Sequence, residues 1–467
     1  MFKKVLLSIT IAAAFTACSK NETISTNSNP KGLSYISFSP SVPKATRGGI
    51  TNQETLKEDP TGFYVVAYGD GAFYFNRQLA KYAEKQVGDG DEIQIRKGFF
   101  LNKNYSWPSY KLTFAAWYPA KLTPGHGSAE AYKSDGVTKF ETGEYVSQPQ
   151  WHDSGSGVEA PHTINKYVPA KEIANQTDIV IARTIKDPKE MGVKEAAVTL
   201  NFRHILSQIS LKAKKSGEDL KVKIRSVALR NIPSKGTFKF RAEDMTDYTT
   251  DGHITGSTSN PEQSLIPLEN WTINAPDPAG SLTYGDGDNH NVNLQRYDYT
   301  LNEEIELDGT TAEAKDMLEG DQWLLIPQDF THNYYYGNVN YFWQETESPQ
   351  GAYLAFEMCV LRKKLNADNE VESWTQIFPE PGATKKDGSI VADGDFGWGA
   401  IGLFSNAVWK PGIHYTYTLC FTDNGVGKYD PEEWNEGGND ILGNYIWFTV
   451  TVDDWIPTNP ADTDVKL

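Results

Sequence analysis

The sequence predicts an all-β chain folded into β-sandwiches with long loop insertions. Apolar and β-branched residues recur with a period of two in many short runs, the pattern of half-buried strands. Clusters of Gly, Pro, Asn and Asp break these runs, and the 467 residues include 39 Gly and 24 Pro. Beyond the N-terminal leader no stretch keeps a helical period for three or more turns, which excludes a helix bundle. Hydrophobic residues at 39% and aromatic residues at 12% are enough to bury a core, so the chain is not broadly disordered.

The runs fall at residues 33–38, 63–68, 92–95, 112–117 and 178–183. They continue at 197–202, 209–213, 220–229, 236–240 and 323–326, and end at 352–361, 413–422 and 445–452. In the first run Ile36 and Phe38 share one face, with Ser37 and Ser39 on the other. In 353–361, Leu354, Phe356, Met358 and Val360 form the core set, which turns Cys359 the other way with Ala355 and Glu357. In 415–421 the apolar set is Tyr415, Tyr417, Leu419 and Phe421, which places Cys420 on the Thr-bearing face. Two such thiols pair if their strands are neighbours and stay free otherwise; spacing does not decide it. Residues 80–86 read as a short helix and 204–208 as one turn between strands. Two stretches, 119–177 and 242–300, are strand-poor and rich in Pro and Gly, and read as long insertions. The restart of strand pattern at Ala197 sets a domain boundary near Lys194, dividing the chain into 48–194 and 195–467. No repeat of fixed period is present.

Residues 1–17 read as an export signal: Lys3 and Lys4, then a short apolar stretch, then the small residue Ala17 before Cys18. Thr16-Ala17-Cys18 is similar to the lipobox of bacterial lipoproteins, in which the Cys thiol is acylated and becomes the new N-terminus. Phe15 stands where that motif usually has Leu. A polar stretch rich in Ser and Asn, residues 19–31, suits a flexible tether. No apolar run reaches the length of about 18 residues that a membrane-spanning helix needs.

Charge excludes further classes. Asp and Glu number 61 against 44 Lys and Arg, a formal charge of −17, and such a chain repels polyphosphate, so no nucleic-acid partner is expected. Three cysteines are too few for a disulfide scaffold. The eight His residues show no metal-ligand spacing, so no metal site and no cofactor are expected. His152, Asp153 and His162 read as a solvated loop, and His204, after an apolar strand, as a packing residue. Asp286, Asp288 and His290 alternate like calcium ligands but lack the Gly and Glu that such a loop requires, and read as a turn. No Walker loop, dinucleotide fingerprint or nucleophile elbow occurs, and no catalytic residue is assigned. The densest aromatic cluster, Tyr334, Tyr335, Tyr336, Tyr341, Phe342 and Trp343, suits sheet-face packing; exposed, it would suit sugar rings.

Several of these segments, taken in order, resemble one family. They are the lipobox Cys18, Tyr35-Ile36-Ser37-Phe38 leading to Thr46-Arg47-Gly48-Gly49, and Leu112-Thr113-Phe114-Ala115-Ala116-Trp117-Tyr118-Pro119. Leu200-Asn201-Phe202-Arg203-His204 then runs towards Gln208-Ile209-Ser210-Leu211, followed by Leu324-Leu325-Ile326-Pro327-Gln328 and a closing strand with Asp454-Trp455 after it. This arrangement is similar to the fimbrillins, the lipoprotein pilins of Bacteroides-type bacteria.

The resemblance implies two β-sandwich domains of transthyretin-like topology and no enzymatic activity. It implies a precursor lipidated at Cys18, tethered to the outer membrane, and later cut between Arg47 and Gly48 by an Arg-specific surface protease. The 18–47 propeptide, with its first strand, would then leave. Sheet chemistry supplies the consequence: removing a strand that carries Ile36 and Phe38 uncovers an apolar groove and unpaired backbone groups, which recruit another strand. Because such a contact is head-to-tail it builds a filament of fimbrial subunits rather than a closed dimer. In the family the donor is C-terminal, here 455–467 with Val465 and Leu467 as anchors. Pro457 and Pro460 make that tail a poor strand, and a frayed terminus is the other reading. The length and the two insertions favour an accessory or tip subunit that supports adhesion to a host or bacterial surface ligand. A lipid-anchored glycan-binding surface protein, using Tyr335 and Trp343, is the alternative from another class.

Overall fold

The N-terminal sandwich is a single sheet bent back on itself. The structure is a computed structural model, and it describes residues 35–42, 51, 53–87, 94–119, 162–189, 197–234, 236–240, 270–273, 294–309, 311–330, 352–403, 408–442 and 446–454. In chain order come β1 (Ser37–Ser41), the short helix α1 (Gln53–Glu58), β2 (Phe63–Gly69), β3 (Ala72–Val87), β4 (Gln94–Leu101) and β5 (Leu112–Tyr118). They are followed by β6 (His162–Tyr167), β7 (Val180–Lys186), β8 (Ala197–Asn201) and β9 (Arg203–His204). Eight of these strands hydrogen-bond in the order β8-β1-β4-β3-β2-β5-β7-β9.

β3 makes the corner. Its first half pairs with β2, from Gly69↔Ala72 to Phe63↔Ala80, and its second half pairs with β4, from Ala80↔Leu101 to Val87↔Gln94. The turn into β2 demands glycine at Gly62: φ is +72° there, and a Cβ would stand 2.1 Å from the Ala80 carbonyl oxygen. Folding the sheet at β3 brings β1 over β2 and β5, so that Phe38, Phe63, Phe99, Phe114 and Phe202 share one core.

The C-terminal sandwich has two separate sheets. Its strands are β10 (Ser207–Lys215), β11 (Leu220–Pro233), β12 (Gly236–Phe240), β13 (Trp271–Ile273), β14 (Leu294–Leu307), β15 (Thr311–Asp316), β16 (Trp323–Leu325) and β17 (Gln328–Asp329). Then follow β18 (Tyr353–Leu365), β19 (Val371–Phe378), β20 (Gly397–Gly402), β21 (Val408–Trp409), β22 (Ile413–Phe421), β23 (Lys428–Tyr429) and β24 (Trp447–Asp454). One sheet runs β15-β10-β22-β24, with β16 also on β10; the other runs β14-β11-β18-β20-β23, with β19 also on β18. Between them lies a core that includes Ile209, Leu211, Val227, Leu229, Leu354, Phe356, Tyr417 and Leu419. The alternation read from 353–361 and 415–421 is the alternation of this core.

A third, small sheet joins the two halves. β6, from the N-terminal half, pairs with β12, which pairs with β13, both from the C-terminal half. Its Ile164, Phe238 and Trp271 pack on the outer face of the first sandwich, on Val66, Ala115, Trp117 and Ile181. The Trp271 indole donates to the Ile205 carbonyl at 2.7 Å, closing the junction.

Four expectations are corrected. Residues 80–86 are not helical; they are the second half of β3, because pairing with β4 outweighs the helix propensity of Ala, Lys, Glu and Gln. Residues 204–208 are not a helical turn: His204 ends β9 and Ser207 begins β10. The stretches read as strand-poor contain β6, β13 and the first half of β14, which gain their strand character from partners distant in sequence. The first sheet also extends past Lys194, since β8 and β9 complete it.

Candidate functional site

The site is the seat of the leading strand. β1 lies between two partners, parallel to β8 over Ser37↔Ala197 to Ser41↔Asn201 and antiparallel to β4 at Ser37↔Phe100 and Phe38↔Phe99. The Ile36 N–H donates to the Tyr105 carbonyl at 2.9 Å, and the Phe202 N–H donates to the Ser41 carbonyl at 2.8 Å. Pro40 brings no N–H to the ladder, which removes one donor from the strand's pairing.

Side chains hold it more firmly. Phe38 is 1% exposed and Ile36 2%. The Phe38 ring meets Phe63 edge-on at 6.1 Å between centroids and Phe114 at 5.8 Å. Burying a Phe is worth about 1.5–3 kcal/mol, and aromatic pairs add about 0.5–1.5 kcal/mol each. β8 has β1 as its sole ladder partner among the described residues. Withdrawal of β1 would leave two unpaired edges, β4 and β8, about 10 Å apart across a slot lined by Phe63, Phe99 and Phe114.

Next to this seat the chain is tied down again by a buried carboxylate. The Thr51 N–H donates to Asp178 Oδ2 at 2.9 Å, and His204 Nδ1 stands 2.8 Å from the same oxygen. Thr51, Asp178 and His204 are all buried. Val42 on the other side is buried too, so the residues that flank Arg47-Gly48 at 42 and 51 are both anchored in the fold. Sequence reasoning placed His204 as a packing residue and missed Asp178 and Thr51. The two are 127 residues apart, and no local pattern links them.

Of the other residues singled out, Cys18, Arg47, Gly48, Val465 and Leu467 lie outside the described residues, as do Tyr334–Trp343 as a cluster, His152, Asp153, Asp286, Asp288 and His290. Of the two alternatives left open for the thiols, the structure has the second: Cys359 and Cys420 are free and buried. Cys359 sits on β18 and Cys420 on β22, strands of opposite sheets. Each points away from the shared core, so the sandwich lies between them. Burial pushes the Cys359 thiol up to about 11 and raises Cys420 as well, which keeps both protonated at neutral pH.

The fimbrillin-like family profile matches residues 61–336, more than half of the chain. The chain belongs to the fimbrillin-like family; it is a fimbrial subunit of the cell surface, and the family is structural rather than enzymatic. No curated protein sequence matches it. Among solved structures it is similar to a proposed cell adhesion protein from Bacteroides uniformis, with 11% identity, 90% of this chain and 98% of that chain covered, and a TM-score of 0.35. A fimbrilin from Porphyromonas gingivalis gives 12% identity, 91% and 98% coverage and a TM-score of 0.33. A fimbrial assembly protein from Parabacteroides distasonis gives 10% identity, 90% and 99% coverage and a TM-score of 0.30. At such scores the likeness adds no weight to the family match.

Proposed function

We propose that the chain is an exported precursor, lipidated at Cys18 and held at the outer membrane, that polymerises by strand exchange after cleavage between Arg47 and Gly48. The observation that carries this reading is the placement of β1, buried and paired on both sides, between the edge strand β8 and β4, and followed in the chain by the segment that contains Arg47. A strand at the sheet's rim could leave without consequence. One seated between β4 and β8 cannot, because its loss exposes two ladders and an aromatic floor.

The exchange has a defined polarity. A replacement strand that restores both ladders runs parallel to β8 and antiparallel to β4, and it places an apolar side chain where Phe38 sits. A neighbouring subunit's C-terminal segment, with Val465 and Leu467, is the donor in this reading, and repetition of the contact yields a filament. The length of the chain and its insertions support an accessory or tip position, with adhesion to a surface ligand as its task.

The test is intact mass and electron microscopy before and after Arg-specific proteolysis. A species that starts at Gly48 and head-to-tail polymers are expected. A protein that keeps its mass, or one cut at Arg47 that stays monomeric with β1 still bound, overturns the reading.

A further inference from the structure

We propose that β8 is a stand-in for β1: once the leading strand has left, β8 swings against β4 and covers the seat until a donor strand displaces it. This rests on the departure of β1 proposed above. β1 is parallel to β8 and antiparallel to β4, so β8 is itself antiparallel to β4 and has the polarity that the bare β4 edge requires. Facing agrees as well. Phe38 stands beside Val198 and Pro40 beside Leu200, and Val198, Leu200 and Phe202 all belong to the core that holds Phe38. A sideways move of one strand position keeps these side chains on the core face, whereas a slip of one residue along the strand would turn them out.

The anchoring of β8 is one-sided. At its far end Phe202 leads straight into β9, which pairs with β7 at Ile181↔Arg203 and Val180↔His204, and His204 Nδ1 stands 2.8 Å from Asp178 Oδ2. At its near end, Ala197, its sole ladder partner among the described residues is β1. β1 in turn pairs with β4 only at this near end, through Ser37↔Phe100 and Phe38↔Phe99. The stretch of β4 that loses its partner and the free end of β8 therefore lie at the same end of the seat. Loss of β1 also removes the Ser41 carbonyl that accepts the Phe202 N–H at 2.8 Å, which loosens β8 at its pivot.

Ala197 and Phe100 both lie opposite Ser37, so two strand spacings, about 10 Å, separate them while β1 is in place. A swing of about 5 Å at the near end makes them ladder neighbours. The backbone groups of β4 and β8 then bond to each other instead of standing bare as a template for any passing strand. The cover is incomplete by construction. Val198 is smaller than the Phe38 ring that it replaces against Phe63 and Phe114, so a space remains in the core. A donor strand with an apolar side chain for that space restores both ladders and moves β8 back to its place beside it. The emptied subunit is thus shielded from indiscriminate pairing and stays open to its proper partner.

The test is a disulfide trap in the full chain. Phe100→Cys and Ala197→Cys are introduced together with Cys18→Ser, while Cys359 and Cys420 are buried and take no part. Lys44→Ile, Ala45→Glu and Thr46→Gly make a factor Xa site that ends on the natural Arg47. After the cut, moderate urea and gel filtration remove the leading segment, diamide oxidises the thiols, and mass spectrometry reads the linkage. Residues whose Cα atoms are more than about 7 Å apart cannot be bridged, so the emptied chain is expected to give at least about tenfold more linkage than the uncut one. A peptide of residues 35–42 added before oxidation is expected to suppress it by refilling the seat. A companion chain with Thr113→Cys and Ile185→Cys, neighbours across β5 and β7, reports a folded sandwich. Equal linkage in the uncut and emptied chains overturns the proposal. So does an emptied chain that forms the companion linkage but not the one between 100 and 197. An emptied chain that forms neither overturns it too, since a sandwich that falls apart without β1 is not covered by β8. The natural sequence is treated in parallel with the Arg-specific protease. Its failure to be cut, beside a linkage formed after factor Xa, removes the cleavage reading and leaves the stand-in role of β8.

Discussion

The two sandwiches close their cores in opposite ways. The N-terminal one completes its core with β1, a strand that precedes the proposed cut and is joined to the remainder by the segment around Arg47. The C-terminal one is closed by strands that neighbour one another along both sheets, and its last described strand, β24, merely adds to the edge of β22. Its outer sheet face also carries a buried charge cluster. Arg230 contacts Asp430 at 2.5 Å and Glu432 at 3.2 Å, with Arg230 lying over the Trp398 ring at 4.4 Å. The comparison teaches that a strand's worth to a fold depends on where it sits in the sheet and what it covers, not on its length.

The sharpest test is truncation of the leading strand's anchor. Phe38→Ala is expected to destabilise the uncut protein by about 3–5 kcal/mol, the range for a buried Phe whose neighbours cannot collapse into the space. Urea unfolding followed by signals from each half should show an early transition in the N-terminal half alone. A loss below about 1 kcal/mol would mean that the core closes without β1, and the difference between the sandwiches would vanish.

A comparable loss is expected from the other half when Arg230 becomes Met. Asp430 would remain buried with only the Tyr353 hydroxyl and the Glu432 N–H for partners, at a cost of about 3–5 kcal/mol near pH 7.5. Burial pushes the Asp430 carboxyl up to about 6 although Arg230 pulls it down, and removing Arg230 raises it further. A carboxyl whose folded pKa lies above its unfolded value makes stability fall as pH rises between the two. The gap between wild type and Arg230→Met should therefore shrink on moving from about pH 7.5 to about pH 5. Denaturation midpoints at the two pH values check it; an unchanged gap would show that Arg230 acts through packing alone.

How much of this was legible before the structure follows from the range of the contacts involved. The alternation of Leu354, Phe356, Met358 and Val360 is a local signal, and it read correctly onto the core. So did Ile36 and Phe38, whose shared face is buried. The second half of β3 was illegible, because Ala, Lys, Glu and Gln there favour helix and only β4 makes them a strand. β6 was hidden for a related reason: it exists as a partner of β12, more than sixty residues away. The seat itself was half visible. Its apolar lining is written in each run, but the carboxylate that ties Thr51 beside it comes from Asp178, two residues before β7, and nothing in either segment announces the other.

The junction between the halves supplies a smaller effect. Trp271→Phe keeps most of the ring packed on Phe238 and Tyr167 and deletes the indole donor to Ile205. Loss of that bond is expected to cost about 0.5–1.5 kcal/mol, and it should lower the cooperativity with which the two halves unfold. A single unchanged transition would place the coupling elsewhere in the β6-β12-β13 sheet.

The smallest effect is expected at the strand that resembles β1 in pairing but not in placement. Val450 on β24 is 41% exposed, and β24 hydrogen-bonds to β22 along one side. Its neighbours Thr449 and Thr451 are exposed too, so truncating Val450 removes little apolar area from contact. Val450→Ala should change stability by about 0.5 kcal/mol or less, as for most surface positions. Measured beside Phe38→Ala under the same denaturant series, it isolates placement from strand identity, since both residues are large, apolar and near an end of the described chain. A loss at Val450 that matched the one at Phe38 would show that both terminal strands are equally built into their sheets. The first would then have no special claim to be the strand that leaves.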